Sequence, residues 1–178
     1  TDLSQDAAQP GIVRATALWL LEQTGDPQVA TDVQPLLEDP DPLVRAAAAG
    51  VNVNAAPALR AQRLESALED PTRLVRIEAA LTLLNVPPSS IPPMATEKLE
   101  PALREWQTGL YNRADFPETH LVIAGTALTM RNLQGAERAF REAVQRRPDD
   151  PVSLNALGAA LARLRREPEG ASTLEKAL

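Results

Sequence analysis

The side chains that could carry out chemistry in this chain are few. The sequence has one histidine, His120, and no cysteine, so it offers no thiolate ligand, no cysteine nucleophile and no cysteine pair for haem attachment. A single histidine also excludes a His-rich metal site, and no Ser–His–Asp arrangement is recognisable around it. Neither a GxGxxG nor a Walker-type phosphate loop is present. We therefore predict no catalytic residue, no metal ligand and no enzymatic activity.

Two sets of side chains remain as candidates for ligand binding. His120 could be an axial haem ligand, although a packed role within a helix is more common for such a residue. Arginines at 146–147 and 163–166 are expected at helix ends, where cations interact favourably with the helix dipole. An anion-binding patch is the alternative interpretation of these arginines.

The net charge of −6 is unevenly distributed along the 178 residues. Residues 1–90 contain 12 acidic and 6 basic side chains, whereas residues 91–178 contain 12 of each. Because affinity for nucleic acid depends on the neutralisation of phosphates by cations, we expect no nucleic-acid partner. No stretch reaches the roughly 20 apolar residues that span a bilayer, and no basic-then-apolar leader opens the chain. We therefore expect no membrane insertion.

The elements that position these side chains repeat along the sequence. The dipeptide Val-Arg occurs at 13–14, 44–45 and 75–76, with a constant 31-residue spacing. The same spacing aligns further columns, which recur every three or four positions as on the buried face of a helix. Such a recurrence predicts stacked helical hairpins. Second helices are predicted at 11–23, 42–53 and 73–85, and first helices at 27–38 and 56–69.

The phrases DPDPLVRAAAA and DPTRLVRIEAAL resemble HEAT-like repeats of the short type found in phycobilisome-lyase-like proteins. The resemblance covers residues 8–87, and we assign residues 1–87 to a HEAT-like domain. It implies hydrogen bonds between the turn aspartate and the helix arginine, both within and between layers, which give Asp39 with Arg45, and Asp70 with Arg76, a stacking role. A stripe of arginines that binds an anionic ligand is the alternative.

Trp19, Gly50 and Leu81 occupy one column of this alignment. Glycine inside a helix costs up to about 1 kcal/mol relative to alanine, so we expect a structural reason for Gly50. We predict that Gly50 makes room for the Trp19 indole of the preceding layer. The alternative is that Gly50 begins to end its helix before the poor helix formers at 51–54.

A proline-dense segment separates the two halves of the sequence. Residues 86–93, VPPSSIPP, contain four prolines and no charge, and such proline pairs cannot continue a helix. We place a hinge at 88–93. The helix expected at about 94–112 contains Pro101, which predicts a kink or a second start.

After the hinge the sequence changes to a 34-residue period, which is the separation of Pro117 from Pro151. The segment LQGAERAFREAVQRRPDDPVSLNALGAAL resembles a tetratricopeptide repeat (TPR). The residues at the family's characteristic positions are Ala136, Phe140, Ala143, Pro148 and the pair Leu157-Gly158. The resemblance assigns residues 94–178 to a TPR domain whose first half-repeat, around Ala102 and Trp106, is degenerate.

In TPR proteins the first helix of each repeat lines a concave groove. The resemblance assigns six residues to that groove: Leu121, Gly125, Leu128, Asn155, Ala159 and Arg163. These side chains are small and mostly apolar, which suits a helical or extended segment of a partner. We therefore expect the partner to be a protein or a peptide.

The predicted fold class is all-α, a right-handed α-α superhelix in which a HEAT-like solenoid is followed by TPR helices. This order, with phrases such as PGIVRATALWLLEQ, is similar to the C-terminal repeat region of bacterial multihaem c-type cytochromes. The resemblance implies a protein–protein interaction scaffold within a larger periplasmic electron-transfer protein. It also implies that haem binds upstream and that this chain holds no cofactor.

Other interpretations remain open. A generic TPR/HEAT adaptor would have no haem context and could act in the cytoplasm. A bilin-lyase-like HEAT protein would need a nucleophile or a histidine constellation, and the sequence shows neither. Both ends of the sequence cut through a repeat, so we expect a fragment of a longer repeat protein or a homo-oligomer formed through uncapped ends.

Overall fold

All regular secondary structure in residues 2–177 is helical. A computed structural model describes residues 2–177, and within that range it contains eleven α-helices, four short 3-10 helices and no strand. About three quarters of the residues are helical, at 76%. The predicted all-α helical-repeat class is therefore confirmed.

The chain divides into two compact units, Thr1–Trp106 and Gln107–Leu178. The first unit contains six complete α-helices and most of a seventh. Their bounds are α1 Asp2–Gln5, α2 Gly11–Glu22, α3 Pro27–Asp32, α4 Pro42–Val51, α5 Pro57–Leu64, α6 Arg73–Leu83 and α7 Pro93–Tyr111. Four 3-10 helices lie between them, at Gln34–Glu38, Asn52–Asn54, Ser66–Glu69 and Pro88–Ser90.

The second helices of the hairpins, α2, α4 and α6, begin at a constant spacing, at Gly11, Pro42 and Arg73. Each packs against the next in the series. The first helices are shorter than predicted, because α3 and α5 each give way to a 3-10 helix. In the first of these, Pro35 has no backbone N–H to donate, so the α-helical hydrogen bonds cannot continue.

The turn before α4 contains two Asp-Pro pairs, at 39–40 and 41–42. Asp41 is the N-cap of α4, and its carboxylate accepts a hydrogen bond from the Leu43 N–H at 2.8 Å. Asp39 accepts instead from the Asp41 N–H at 2.9 Å. The carboxylate of Asp39 therefore fixes the turn and leaves the helix end to Asp41.

The core of the first unit consists of two clusters of fully buried aliphatic side chains. One joins α2 to α4 through Leu18, Val44 and Val51, and the other joins α4, α5 and α6 through residues such as Leu64 and Val75. Burying each such side chain stabilises the fold by about 1.5–3 kcal/mol. Because the 31-residue period repeats the same apolar columns, each layer offers the next an equivalent surface.

The proline-dense segment belongs structurally to the first unit. Val86 is buried in the second cluster, and Ala95 and Ala102 of α7 are buried there too. The boundary by contacts consequently lies between residues 106 and 107, inside α7, and differs from the hinge predicted at 88–93. Helix α7 also runs through Pro101 without a second start. The burial of apolar residues of α7 in the first unit therefore determines the position of the boundary, and the prolines before α7 do not.

The second unit is built from two helical hairpins that follow the 34-residue period. Its helices are α8 Pro117–Thr129, α9 Leu133–Arg146, α10 Pro151–Arg163 and α11 Glu167–Glu175. The turns repeat as well, because Arg131 and Arg165 both adopt positive φ angles, of 57° and 59°. In each turn the N–H of the following residue donates to the carbonyl five residues before it. These hydrogen bonds are Asn132 N–H to Ala127 O at 2.8 Å and Arg166 N–H to Leu161 O at 2.9 Å. Hence the two hairpins share one turn geometry.

The core of the second unit depends on small residues. Ala124, Ala136 and Phe140 are buried together with Leu157 and Leu161. In the last hairpin, a Cβ added to Gly158 would lie 3.3 Å from the Gly170 carbonyl, and one added to Gly170 would lie 3.1 Å from the Gly158 carbonyl. These two glycines therefore allow α10 and α11 to approach closely.

Candidate functional site

The aspartates and arginines singled out in the sequence form a ladder between successive layers of the first unit. In its first rung, Arg14 Nη1 donates to Asp39 Oδ1 at 3.2 Å, and Nη2 donates to Oδ2 at 2.5 Å. Both side chains are only 7% exposed. Arg14 Nε also donates to the Ser4 carbonyl at 3.0 Å. The charge and most donors of this arginine are thus satisfied inside the protein.

The next two rungs repeat the arrangement with increasing exposure. Arg45 Nε and Nη2 donate to the Asp70 carboxylate at 2.7 Å and 3.0 Å. Arg76 Nη2 donates to both oxygens of Glu105, at 2.9 Å and 2.8 Å. We refer to Arg14–Asp39, Arg45–Asp70 and Arg76–Glu105 as the ladder.

The hydrogen bonds that the resemblance implied for Asp39 with Arg45 and for Asp70 with Arg76 are present, and they use the backbone carbonyls of the aspartates. Arg45 meets Asp39 through the backbone carbonyl, at 2.7 Å from Nη1, and Arg76 meets the Asp70 carbonyl in the same way at 2.6 Å. The carboxylates of Asp39 and Asp70 bind the arginine of the preceding layer. The reason is geometric, because Asp39 and Asp70 lie 25 residues after the arginines whose charges they neutralise.

The ladder shifts the ionisation of its acids. Burial raises the pKa of Asp39, but hydrogen bonds from Arg14 and from the Asp41 N–H outweigh it, so the pKa lies below its ordinary value. The same balance between burial and the hydrogen bond from Arg45 lowers the pKa of Asp70. Asp70 in turn raises the pKa of Arg45. These acids are therefore held ionised and in a structural role.

All six arginines of residues 1–90 donate hydrogen bonds to protein atoms. Three belong to the ladder, and the others bond to backbone carbonyls and polar side chains: Arg60 to Val53 and Ala55, Arg63 to Ala30, and Arg73 to Glu105. This use of the arginines argues against the alternative of an arginine stripe for an anionic ligand.

The expected contact between Gly50 and Trp19 is wrong. The Trp19 side chain is 58% exposed, and a Cβ on Gly50 would instead meet Glu22 Oε2 and Glu78 Oε1, each at 3.2 Å. Burial raises the pKa of Glu22, while burial and the charge of Glu22 raise the pKa of Glu78. Sequence reasoning missed this pair because the two residues are far apart in the chain and occupy different columns.

The residues predicted for the groove of the second unit lie on α8 and α10 but not all are accessible. Gly125, Asn155, Ala159 and Arg163 are exposed, whereas Leu121 and Leu128 are half-buried and pack against the core. The correction follows from helical periodicity, since Leu121 and Leu128 lie on the side of α8 that carries the buried Ala124.

The exposed sides of α8 and α10 carry additional apolar residues that the family pattern did not identify. Val122 is 49% exposed on α8, and Val152 is 63% exposed on α10. We define the α8–α10 surface by its exposed members: Val122, Gly125, Thr129, Val152, Asn155, Ala159 and Arg163. The 34-residue spacing of Pro117 and Pro151 predicts where α8 and α10 begin. It does not show which side of α8 is exposed, so it could not identify Val122 as an exposed residue.

His120 packs inside the protein and is hydrogen-bonded to the backbone. Its side chain is buried, and Nε2 lies 2.8 Å from the Ala114 carbonyl, to which it donates as an N–H. The arginine clusters at 146–147 and 163–166 also form ion pairs within the protein. Arg147 pairs with Glu118, and Arg166 pairs with Glu137 and Glu169.

Within residues 2–177, no three side chains among His, Cys, Asp and Glu come together so as to hold a metal ion. None of the helices in the same range has both the length and the hydropathy needed to cross a membrane.

Comparison with known proteins identifies the first unit only. Residues 3–84 match the family model of HEAT repeats. No curated protein and no solved structure matches the chain. The part of the chain from α1 to α6 is therefore similar to HEAT repeats, a helical fold that commonly serves as a non-catalytic scaffold for protein–protein binding.

Proposed function

We propose that this chain is a protein-interaction scaffold that binds a segment of a partner protein on the α8–α10 surface. The observation that carries the proposal is the exposure of small, uncharged residues at matching places on two helices related by the 34-residue period. Gly125 and Ala159 are exposed and occupy such equivalent positions. They leave room for a partner backbone to approach both helices.

The chemistry of the α8–α10 surface suits a peptide with apolar side chains. Val122 and Val152 offer exposed apolar contacts, and the Asn155 amide offers a donor and an acceptor for main-chain groups. Arg163, at the end of α10, adds one positive charge. An amphipathic helix or an extended segment could use this combination of contacts.

We further propose that the second unit is a TPR domain. The residues at 136, 140, 143 and 148 support this assignment, as does the 34-residue period of helices and turns. On this proposal the HEAT repeats and the TPR domain are two binding modules in one scaffold.

A site-specific photocrosslinker tests the partner surface. Placed at Val122 or Ala159, it should capture one discrete protein in the cells from which the chain comes. The matched control is Gln145, which is exposed on α9, outside the α8–α10 surface. Equal capture from all three positions, or capture of no protein from Val122 and Ala159, would contradict the proposal.

The cellular context is proposed from the sequence resemblance alone. By it, the scaffold belongs to a periplasmic electron-transfer protein whose haems bind upstream. The residues of this chain do not themselves fit a haem, because they include no cysteine and because Nε2 of the one histidine donates to a backbone carbonyl. CxxCH motifs in the upstream reading frame would support the context, and their absence would leave a generic adaptor.

A further inference from the structure

An exposed apolar row crosses the second helices of the HEAT repeats. Ile12, Leu43 and Leu74 occupy the second position of α2, α4 and α6, and they are 61%, 40% and 45% exposed. Trp19, two turns after Ile12 on the same side of α2, is 58% exposed. Because α2 packs on α4 and α4 packs on α6, these side chains form one continuous face.

A pair of carboxylates lies on the same face. Glu22 is one turn after Trp19 on α2, and Glu78 is one turn after Leu74 on α6. The two side chains converge over Gly50 of α4, each with an oxygen 3.2 Å from the place of the missing Cβ. We define the α2–α4–α6 face by Ile12, Leu43, Leu74, Trp19, Gly50, Glu22 and Glu78.

These carboxylates lack the cation that every acid of the ladder has. Among residues 2–177, neither Glu22 nor Glu78 forms an ion pair or accepts a side-chain hydrogen bond. The arginines of the HEAT repeats are committed to other groups, and Lys98 pairs with Glu69 at 2.8 Å. Two partly buried like charges without a partner destabilise the fold, as their raised pKa values indicate. A ligand with a positive charge would remove this cost.

We propose that the α2–α4–α6 face docks a segment of a partner protein that places one arginine or lysine between Glu22 and Glu78. Apolar side chains of the same segment lie along the row of Ile12, Leu43 and Leu74. The charge complementarity identifies the occupant, because the face combines two unpaired negative charges with exposed apolar groups.

The observations favour such a segment over the other cationic ligands. A metal ion would need further ligands, and in the described part of the chain no third acidic or histidine side chain joins the two glutamates. A small polyamine would satisfy the charges but would leave the apolar row exposed. This proposal concerns the first unit and does not depend on the α8–α10 surface.

The experiment titrates the full chain with four short amphipathic peptides that differ only at one central residue, which is Arg, Lys, Gln or Glu. The binding is measured by NMR, from the chemical shifts of the backbone amides and of the indole N–H groups. We expect the Arg and Lys peptides to shift the Trp19 indole and the Gly50 amide, and to bind at least about tenfold more tightly than the Gln peptide. The Glu peptide should bind most weakly.

Substitutions in the chain test which residues cause the preference for a cationic peptide. In Glu22→Gln and in Glu78→Gln, the preference for Arg over Gln at the centre of the peptide should fall, and it should disappear when both glutamates are changed. Because removal of one charge relieves repulsion, both variants should fold at least as well as the parent chain. Glu38→Gln is the matched control, since it makes the same charge change at an exposed residue of a first-helix segment. Leu43→Ser should weaken the binding of all four peptides.

Each other outcome overturns the proposal. Equal affinities for the four peptides, shifts confined to other surfaces, or no saturable shift with the Arg peptide would exclude a cation-selective face. Shifts of Gly50 produced by Ca²⁺ or Mg²⁺ alone would assign the glutamates to a metal ion. Self-association that is lost in Glu22→Gln, measured by sedimentation equilibrium, would assign the face to a second copy of the chain.

Discussion

The two units of this chain hold their layers together by different means. In the first unit, successive layers are joined by the ladder, whose first rung has both side chains only 7% exposed. In the second unit, the arginine of every ion pair among the described residues is at least 30% exposed, and α10 meets α11 through two glycines.

This difference determines which residues are free to bind a partner. The three arginines of the ladder are paired within the first unit, and acidic and apolar groups remain on its surface. The second unit depends on backbone approach, so its exposed surfaces keep small residues. Each unit should consequently respond to a different kind of substitution.

The largest effect is expected when a buried rung of the ladder is broken. Asp39→Ala should cost about 3–5 kcal/mol of the free energy of unfolding, because it leaves Arg14 buried without its counter-ion. Both tryptophans, Trp19 and Trp106, lie in the first unit, so their fluorescence during urea unfolding follows that unit selectively.

A control from the second unit completes the comparison. Glu118→Ala breaks the exposed pair with Arg147, in which the two side chains are 60% and 50% exposed. The free energy of unfolding should change little, because solvent screens such a pair. The helical circular-dichroism signal during urea unfolding measures both variants. The pKa of Asp39 is lowered in the folded protein, so its stabilising effect is present at neutral pH. That effect is lost as the pH falls through the folded pKa. An Asp39→Ala variant as stable as the Glu118→Ala variant would contradict the structural role of the ladder.

The next effect concerns the glycines of the second unit. In Gly158→Leu, the new side chain would overlap Leu174, whose Cγ lies 2.6 Å from the Cβ position, and would approach the Gly170 carbonyl at 3.3 Å. The strain should cost about 1–3 kcal/mol. Hydrogen exchange of the α10 and α11 amides measures the loss locally.

Gly125→Ala is the matched control for the same unit. Nothing lies within 4 Å of its Cβ position, and the change removes the helical penalty of glycine, so it should stabilise α8 by about 0.5–1 kcal/mol. If both glycine variants change exchange in the same direction, the close approach of α10 and α11 is not what requires Gly158.

The sequence predicts these helices because both periods are visible in it. The 31-residue columns predict α2, α4 and α6, since each layer must repeat the same apolar surface to stack. The sequence could not reveal which atoms join the layers. The partner of Arg45 is the Asp70 carboxylate of the next layer, and that distinction requires the rise from one hairpin to the next.

Other features of the structure arise from competition between local and tertiary effects. The prolines at 87–93 predict a boundary, but the apolar side of α7 packs onto the third repeat. The pair Glu22 and Glu78 leaves no local trace, because it depends on the stacking of three helices over one glycine. The partly buried Leu121 and Leu128 show that a family pattern locates a helix more reliably than its exposed side.

A smaller effect is expected at the turns of the second unit. Arg131 has a positive φ of 57°, a conformation that costs a residue with a side chain about 1–2 kcal/mol. Arg131→Gly should recover part of that cost, about 1 kcal/mol, although glycine adds freedom to the unfolded chain. Arg131→Ala removes the same charge and keeps the strain, so it should not stabilise. Equal thermal midpoints for the two variants would show that the charge decides the effect.

The smallest effect is expected at Glu22 and Glu78, two partly buried carboxylates that converge over Gly50. The raised pKa values of Glu22 and Glu78 mean that the folded chain binds protons more tightly than the unfolded chain, so ionisation lowers stability as the pH rises. Glu78→Gln should therefore raise the thermal midpoint at pH 7, and the gain should vanish below the ordinary glutamate pKa of 4.5. Adding Glu22→Gln should gain less than its effect alone, since the repulsion is already gone. A gain that persists in acid, or that Glu38→Gln reproduces, would mean that general charge reduction and not this pair limits the stability of the first unit.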